Sequence, residues 1–116
     1  MSDVEKYLEK LERDFGYMLT HTSGYVCPGW EQLIWDMLRE LDELHYDGLG
    51  YPPKFTDIKE KFGRLRVYGN DISDETQEII DRYAALSADT CMTCGKAGTM
   101  REKNRWLYVA CEEHGH

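Results

Sequence analysis

Apolar residues recur along this chain with two different periods, and each period predicts a type of element. Val4, Tyr7, Leu8, Leu11 and Phe15 are spaced by three or four residues, which places them on one face of a helix. Ser2 and Glu5 form a capping-box start for that helix, with the serine hydroxyl accepting from a first-turn N–H. The stretch GYMLTHTSGYVCPGW breaks the period with Gly16, Gly24, Pro28 and Gly29. A second apolar stripe of Leu33, Ile34, Met37, Leu38, Leu41 and Leu44 predicts a helix from about Pro28. Proline is tolerated there because first-turn N–H groups have no intrahelical partner. HYDGLGYPPKF then reads as a connector, since Gly48, Gly50, Pro52 and Pro53 do not continue a helix.

The period next shortens to two. In FTDIKEKFGRLRVYGND, Leu65 and Val67 alternate with Arg66 and Tyr68, which predicts two short strands folded around Gly63. A helix over Ile58 to Phe62 competes with that reading. A third helix is predicted from about Ser73, with Asp74 and Glu75 at its positive end and Ile79, Ile80, Tyr83 and Leu86 facing inward. The expected fold class is α+β: acidic helices, a small hairpin and, from the paired Cys91/Cys94 and Cys111/His114 near the C-terminus, a zinc-finger element of treble-clef-like or ribbon-like form. Residues 1–88 would form the body and 89–116 a metal-binding element packed on it, within one compact domain.

Composition agrees with a single folded unit: 116 residues, 41% hydrophobic and 12% aromatic, are too apolar for a disordered chain. No run approaches the roughly 20 apolar residues of a membrane span. The charged opening MSDVEKYLEKLERDF has no apolar core of a signal peptide, so a cytoplasmic location is expected. Cysteines there stay reduced unless they bind metal or take part in catalysis. The net charge of −8 is uneven, with 13 acids and 6 bases in residues 1–60 but 9 and 8 in residues 61–116. General attraction to phosphate is therefore disfavoured. Two local basic clusters remain: Lys61, Arg64 and Arg66, then Lys96, Arg101, Lys103 and Arg105.

Three of the four cysteines and two of the four histidines fall within TCMTCGKAGTMREKNRWLYVACEEHGH. Cys91 and Cys94 form C-x-x-C followed by Gly95, and Cys111 and His114 form C-x-x-H. Two such pairs suit a tetrahedral zinc ion, each pair bending round one side of it. Glycine after the first pair permits the positive φ of a tight knuckle. The strand-like RWLYVA between the pairs predicts a hairpin. A redox C-x-x-C belongs at a helix start in a βαβ setting, and would leave Cys111 and His114 unexplained. His116 is an alternative fourth ligand. Three thiolates and one imidazole fill the coordination sphere, so one structural Zn2+ is expected.

The other candidates have bland readings. Cys27 is a nucleophile or, more commonly, a small buried hydrophobe. His21 and His45 are isolated. Asp36, Glu40, Asp42 and Glu43 form an acidic face that serves solubility or meets a basic partner. Trp30, Trp35, Tyr25, Tyr46 and Tyr51 are expected in the core or at an interface. The sequence carries no P-loop, G-x-S-x-G or H-E-x-x-H motif, and no enzyme is expected.

CPGWEQLI, IKEKFGRLRVY, TCMTCG and CEEH together resemble a family of small proteins of bacteriophages, prophages and bacteria. In that family a C…GW segment opens a helix, a KEKFGxLR segment follows, and a C-x-x-C-G…C-x-x-H zinc element ends the chain. The resemblance spans roughly residues 25–116 and implies Cys91, Cys94, Cys111 and His114 as metal ligands and a phage origin. The family's first segment reads C-G-x-G-W, whereas Cys27 and Trp30 are one residue closer here, so no role transfers to Cys27. The expected function is a non-enzymatic zinc-binding interaction protein with a host-protein partner, modulating or inhibiting a host enzyme that acts on nucleic acid. An acidic face can fill a basic channel by charge complementarity. The alternative is a nucleic-acid-binding zinc finger using Arg64, Arg66, Arg101, Lys103 and Arg105, with Trp106 stacking on bases.

Overall fold

The computed structural model describes residues 2–20, 24–46 and 52–115. Helix α1 spans Asp3–Phe15 and is capped as its sequence predicts, Ser2 Oγ accepting from the Glu5 N–H at 3.2 Å. Leu11 and Phe15 are buried, and a short 3-10 turn, Gly16–Met18, carries Met18 and Leu19 into the same core. A second 3-10 turn, Pro28–Trp30, leads into α2, Glu31–Tyr46. Ile34, Met37, Leu38 and Leu41 are its buried stripe, while Leu33 and Leu44 lie half-buried at the edge. No helix among the described residues is long and apolar enough to cross a membrane.

Strands β1, Lys54–Lys61, and β2, Arg64–Asn70, form the predicted antiparallel hairpin. A bulge between Phe55 and Asp57 shifts the register, so Phe55 and Ile58 both point into the core although, three positions apart, they would face opposite sides of a regular strand. The competing helix over Ile58 to Phe62 does not form: Ile58 lies in β1 and Phe62 at the turn of this hairpin. The core hairpin residues Phe55, Ile58 and Leu65 pack against Trp30, Ile34, Leu38 and Ile80 within one hydrophobic cluster.

Helix α3, Asp74–Ser87, starts at the Ser73 cap, whose Oγ accepts from the Thr76 N–H at 3.1 Å. Ile80 and Tyr83 are buried, but Leu86, expected inward, is 45% exposed. Ser87 occupies the inward position instead. It accepts from the Leu65 N–H at 2.9 Å and donates to the Ala84 carbonyl at 2.6 Å. Helix α3 therefore lies along the free edge of β2, where an unpaired backbone N–H requires a polar partner that leucine lacks.

The tail folds into a second hairpin, β3, Thr99–Lys103, and β4, Trp106–Ala110, ending in a 3-10 turn at Glu112–His114. Several contacts join it to the body. The Gly29 N–H donates to the Met92 carbonyl at 2.8 Å, Trp30 Nε1 donates to the Thr90 carbonyl at 3.0 Å, and the Met100 side chain lies against Gly63. The connector glycines Gly48 and Gly50, and Tyr51, lie outside the described residues.

Candidate metal centre

The knuckle begins where Thr90 and Ala97 pair across a single β-bridge. The Cys91 N–H donates to the Lys96 carbonyl at 2.8 Å, and the Gly95 N–H donates to the Cys91 carbonyl at 2.9 Å. Gly95 takes φ 81°, as the tight reversal after Cys94 demands. At the other end of the hairpin Cys111 precedes the closing 3-10 turn that carries His114. The order is knuckle, hairpin, helical turn: a treble-clef-like layout in which a single 3-10 turn stands for the final helix.

This topology brings all four predicted ligands together. Their donor atoms lie within 4.8 Å of one another. Cys94 Sγ and Cys111 Sγ are 3.7 Å apart, Cys91 Sγ and His114 Nδ1 3.8 Å, and Cys111 Sγ and His114 Nδ1 3.2 Å. Metal–sulfur bonds of about 2.3 Å and metal–nitrogen bonds of about 2.0 Å give tetrahedral edges of roughly 3.5–3.8 Å, which the donor separations bracket, so the four could hold a single metal ion. None of the four cysteines is in a disulfide. Among the described residues no second convergent group of His, Cys, Asp or Glu is found, and His21 and His116 lie outside them.

The electrostatics prepare the site for a cation. Burial pushes the Cys91 thiol up, but backbone N–H groups of Cys94, Cys111 and Thr93 outweigh it and bring the pKa down to about 6. Burial also raises Cys111, and the bond with His114 more than offsets this and lowers it. The same bond raises His114. At Cys94 the Lys96 N–H favours the thiolate, yet burial and the neighbouring sulfurs win, and the pKa rises. Without a cation, the third thiolate meets the repulsion of the other two.

The remaining candidates separate from this centre. Cys27 is half-buried against the core; burial pushes its thiol up to about 11, outweighing the Trp30 and Gly29 N–H groups. That is the opposite of an activated nucleophile. His45 sits by the rings of Tyr17 and Tyr46, at centroid distances of 6.1 and 6.3 Å. Much of the acidic face of α2 is engaged within the molecule. Glu40 accepts from Arg82 through both carboxylate oxygens at 2.9 and 3.0 Å, Asp42 accepts from the Tyr17 hydroxyl, and Asp36 accepts from Gln32. Arg101 is tied to the end of β4 through the Ala110 and Cys111 carbonyls. Arg64 and Arg66 line a groove between β2 and α3, where Arg66 Nε is buried with no hydrogen-bond partner among the described residues.

Two positions escaped sequence reasoning. Gly29 is the contact point for the knuckle: a methyl group there would overlap the Cys91 carbonyl oxygen and stand 2.6 Å from the Met92 carbonyl carbon. Phe62, at the β1–β2 tip, is 64% exposed; the signal was a phenylalanine beside glycine, where a two-residue turn ordinarily takes asparagine. No family model, no curated protein and no solved structure matches the chain.

Proposed function

We propose that this chain is a non-enzymatic interaction protein whose tail is held in shape by one structural zinc ion. The observation that carries the reading is the closed donor set: Cys91, Cys94, Cys111 and His114 supply four ligand atoms converging on one point. Three sulfurs and one nitrogen in tetrahedral array favour zinc among abundant divalent ions. Four protein ligands leave no position for an activated water, so the ion stabilises and does not react. Its binding free energy, of order 10 kcal/mol in comparable sites, is on the scale of a small domain's whole stability. The resemblance to small phage and prophage proteins supports a phage-derived chain acting in the host cytoplasm.

The ion's role is to pin the base of the β3–β4 hairpin to the knuckle, which in turn docks on the start of α2 through the Gly29 and Trp30 bonds. The acidic half supports a basic host protein as partner, although the bonds made by Glu40, Asp42 and Asp36 leave less of α2 free for it. Nucleic acid is the second partner class, and exposed Trp106 beside Arg105 favours it. Affinity capture from host lysate, with zinc-loaded and chelator-stripped protein at two salt concentrations, tests the reading for both classes. The expected result is a salt-sensitive macromolecule, protein or nuclease-sensitive, recovered by the loaded form alone. Equal recovery by the stripped form would overturn it.

A further inference from the structure

The two hairpins turn in the same unusual way. Each has a two-residue turn, Phe62–Gly63 and Asn104–Arg105, and all four residues have positive φ: 54°, 76°, 52° and 66°. Such turns match the twist of the strands and ordinarily use Asn-Gly. Phenylalanine at the first position and arginine at the second are each strained, because in the left-handed region a Cβ crowds the following carbonyl oxygen. A less strained residue was available at both places. Strain held at an exposed tip, where nothing in the core requires it, points to what the side chains do there.

The tips also converge. Glu60, Lys61, Phe62, Arg105, Trp106 and Leu107 line one recess of about 380 Å3. Phe62 is 64% and Trp106 68% exposed, and Met100, which braces Gly63 from β3, is 42% exposed. Lys61 Nζ lies 5.6 Å from the Phe62 ring centre. Among the described residues the one acid lining the recess, Glu60, is already occupied: its Oε2 accepts from the Gly63 N–H at 2.8 Å. A chain of net charge −8 thus gathers two large exposed aromatics and two cations in one place. Aromatic faces with interspersed cations are the means by which proteins hold unpaired bases and their phosphates.

We propose that the joined hairpin tips bind single-stranded nucleic acid, with Phe62 and Trp106 stacking on bases and Lys61 and Arg105 meeting phosphates. This deepens the interaction reading above and rests on it, because zinc holds the β3–β4 hairpin in place.

The test uses full-length zinc-loaded protein and a fluorescently labelled twelve-nucleotide oligothymidylate probe whose anisotropy reads binding by every variant, with zinc content and thermal unfolding measured on every sample. Trp30 is buried and Trp35 half-buried, so quenching of the exposed Trp106 reports stacking. Trp106→Ala should weaken binding by about 5- to 150-fold, the range expected when one stacked ring is removed. Phe62→Asn should weaken it likewise while raising Tm, because asparagine relieves the left-handed turn. Lys61→Gln with Arg105→Gln should make affinity less dependent on salt, by about 0.7 in the logarithmic slope for each phosphate no longer neutralised. The proposal is overturned if zinc-loaded protein fails to bind the probe, if Trp106→Ala binds as well as the parent, or if a duplex or polyglutamate competes as well as unlabelled probe. A sample purified without zinc, or with the tail unfolded, sinks the interaction reading itself; the zinc assay keeps the two failures apart.

Discussion

Replacing Gly29 with alanine tests how the metal-binding tail is fastened to the helical body. The added methyl group would overlap the Cys91 carbonyl oxygen and lie 2.6 Å from the Met92 carbonyl carbon and 2.8 Å from its oxygen. All of these are backbone atoms, so no flexible side chain can move aside. The carbon–carbon approach is about 1 Å short of the roughly 3.5 Å at which such atoms rest. The start of α2 and the knuckle must therefore separate. Separation weakens the Gly29 N–H bond to Met92 O, 2.8 Å, and draws Trp30 Nε1 from Thr90 O, 3.0 Å. Overpacking alone costs about 1–3 kcal/mol, and a buried donor left unsatisfied adds about 1–3 kcal/mol. A loss of roughly 3 kcal/mol or more is expected, a large share of the roughly 5–15 kcal/mol typical of a whole domain. The assay is urea unfolding of zinc-saturated protein, with zinc content determined on the same samples. The expected outcome is a clear fall in the unfolding midpoint with one zinc retained per chain. A change below about 0.5 kcal/mol at full occupancy would refute the claim that α2 and the knuckle are locked together at this point.

Further outcomes follow from other parts of the molecule. Cys94→Ser should lose the metal and unfold the last third of the chain; unchanged amide exchange there would contradict the assigned role. Ser87→Ala should cost about 1–3 kcal/mol by leaving the Leu65 N–H unpaired in the core, measured by the same urea titration. Burial raises the Glu40 carboxyl, but bonds from Tyr83 and Arg82 outweigh this and hold it below its ordinary 4.5. A depressed carboxyl contributes stability above its unfolded value, lost as pH falls through the folded one. Glu40→Gln should therefore flatten the loss of stability below pH 4.5, by under about 1 kcal/mol because the pair is partly exposed. Cys27, with its thiol pushed up to about 11 from 9.0, should be alkylated at neutral pH roughly 100-fold more slowly than an ordinary cysteine; labelling at the ordinary rate would contradict its burial.

The convergence of Cys91, Cys94, Cys111 and His114 was legible because two pairs of two-residue spacing flank a hairpin that brings its ends together. Spacing alone left His114 and His116 as alternatives, and His116 lies outside the described residues. Ser2 and Ser73 likewise announced their helices, since caps act within a single turn. The β1–β2 hairpin was half-obscured because Ile58 and Phe62 stand four residues apart, a helical spacing, although Ile58 is buried in the core and Phe62 is exposed at the turn. Leu86 misled because the period of α3 records only apolar neighbours. The position that faces β2 must satisfy a backbone N–H, and Ser87 does so. The Gly29 junction and the recess between Phe62 and Trp106 each join residues far apart in the chain, and no local pattern encodes such a meeting. At the tips the local rule is broken outright, which makes them stand out once the backbone angles are known.

X-ray absorption at the zinc edge, on protein purified without added metal and assayed for metal content, addresses the central claim most directly. One zinc per chain is expected, with three sulfur neighbours at about 2.3 Å and one nitrogen near about 2.0 Å. Metal-free protein, a disulfide among Cys91, Cys94 and Cys111, or an oxygen neighbour from bound water would contradict it.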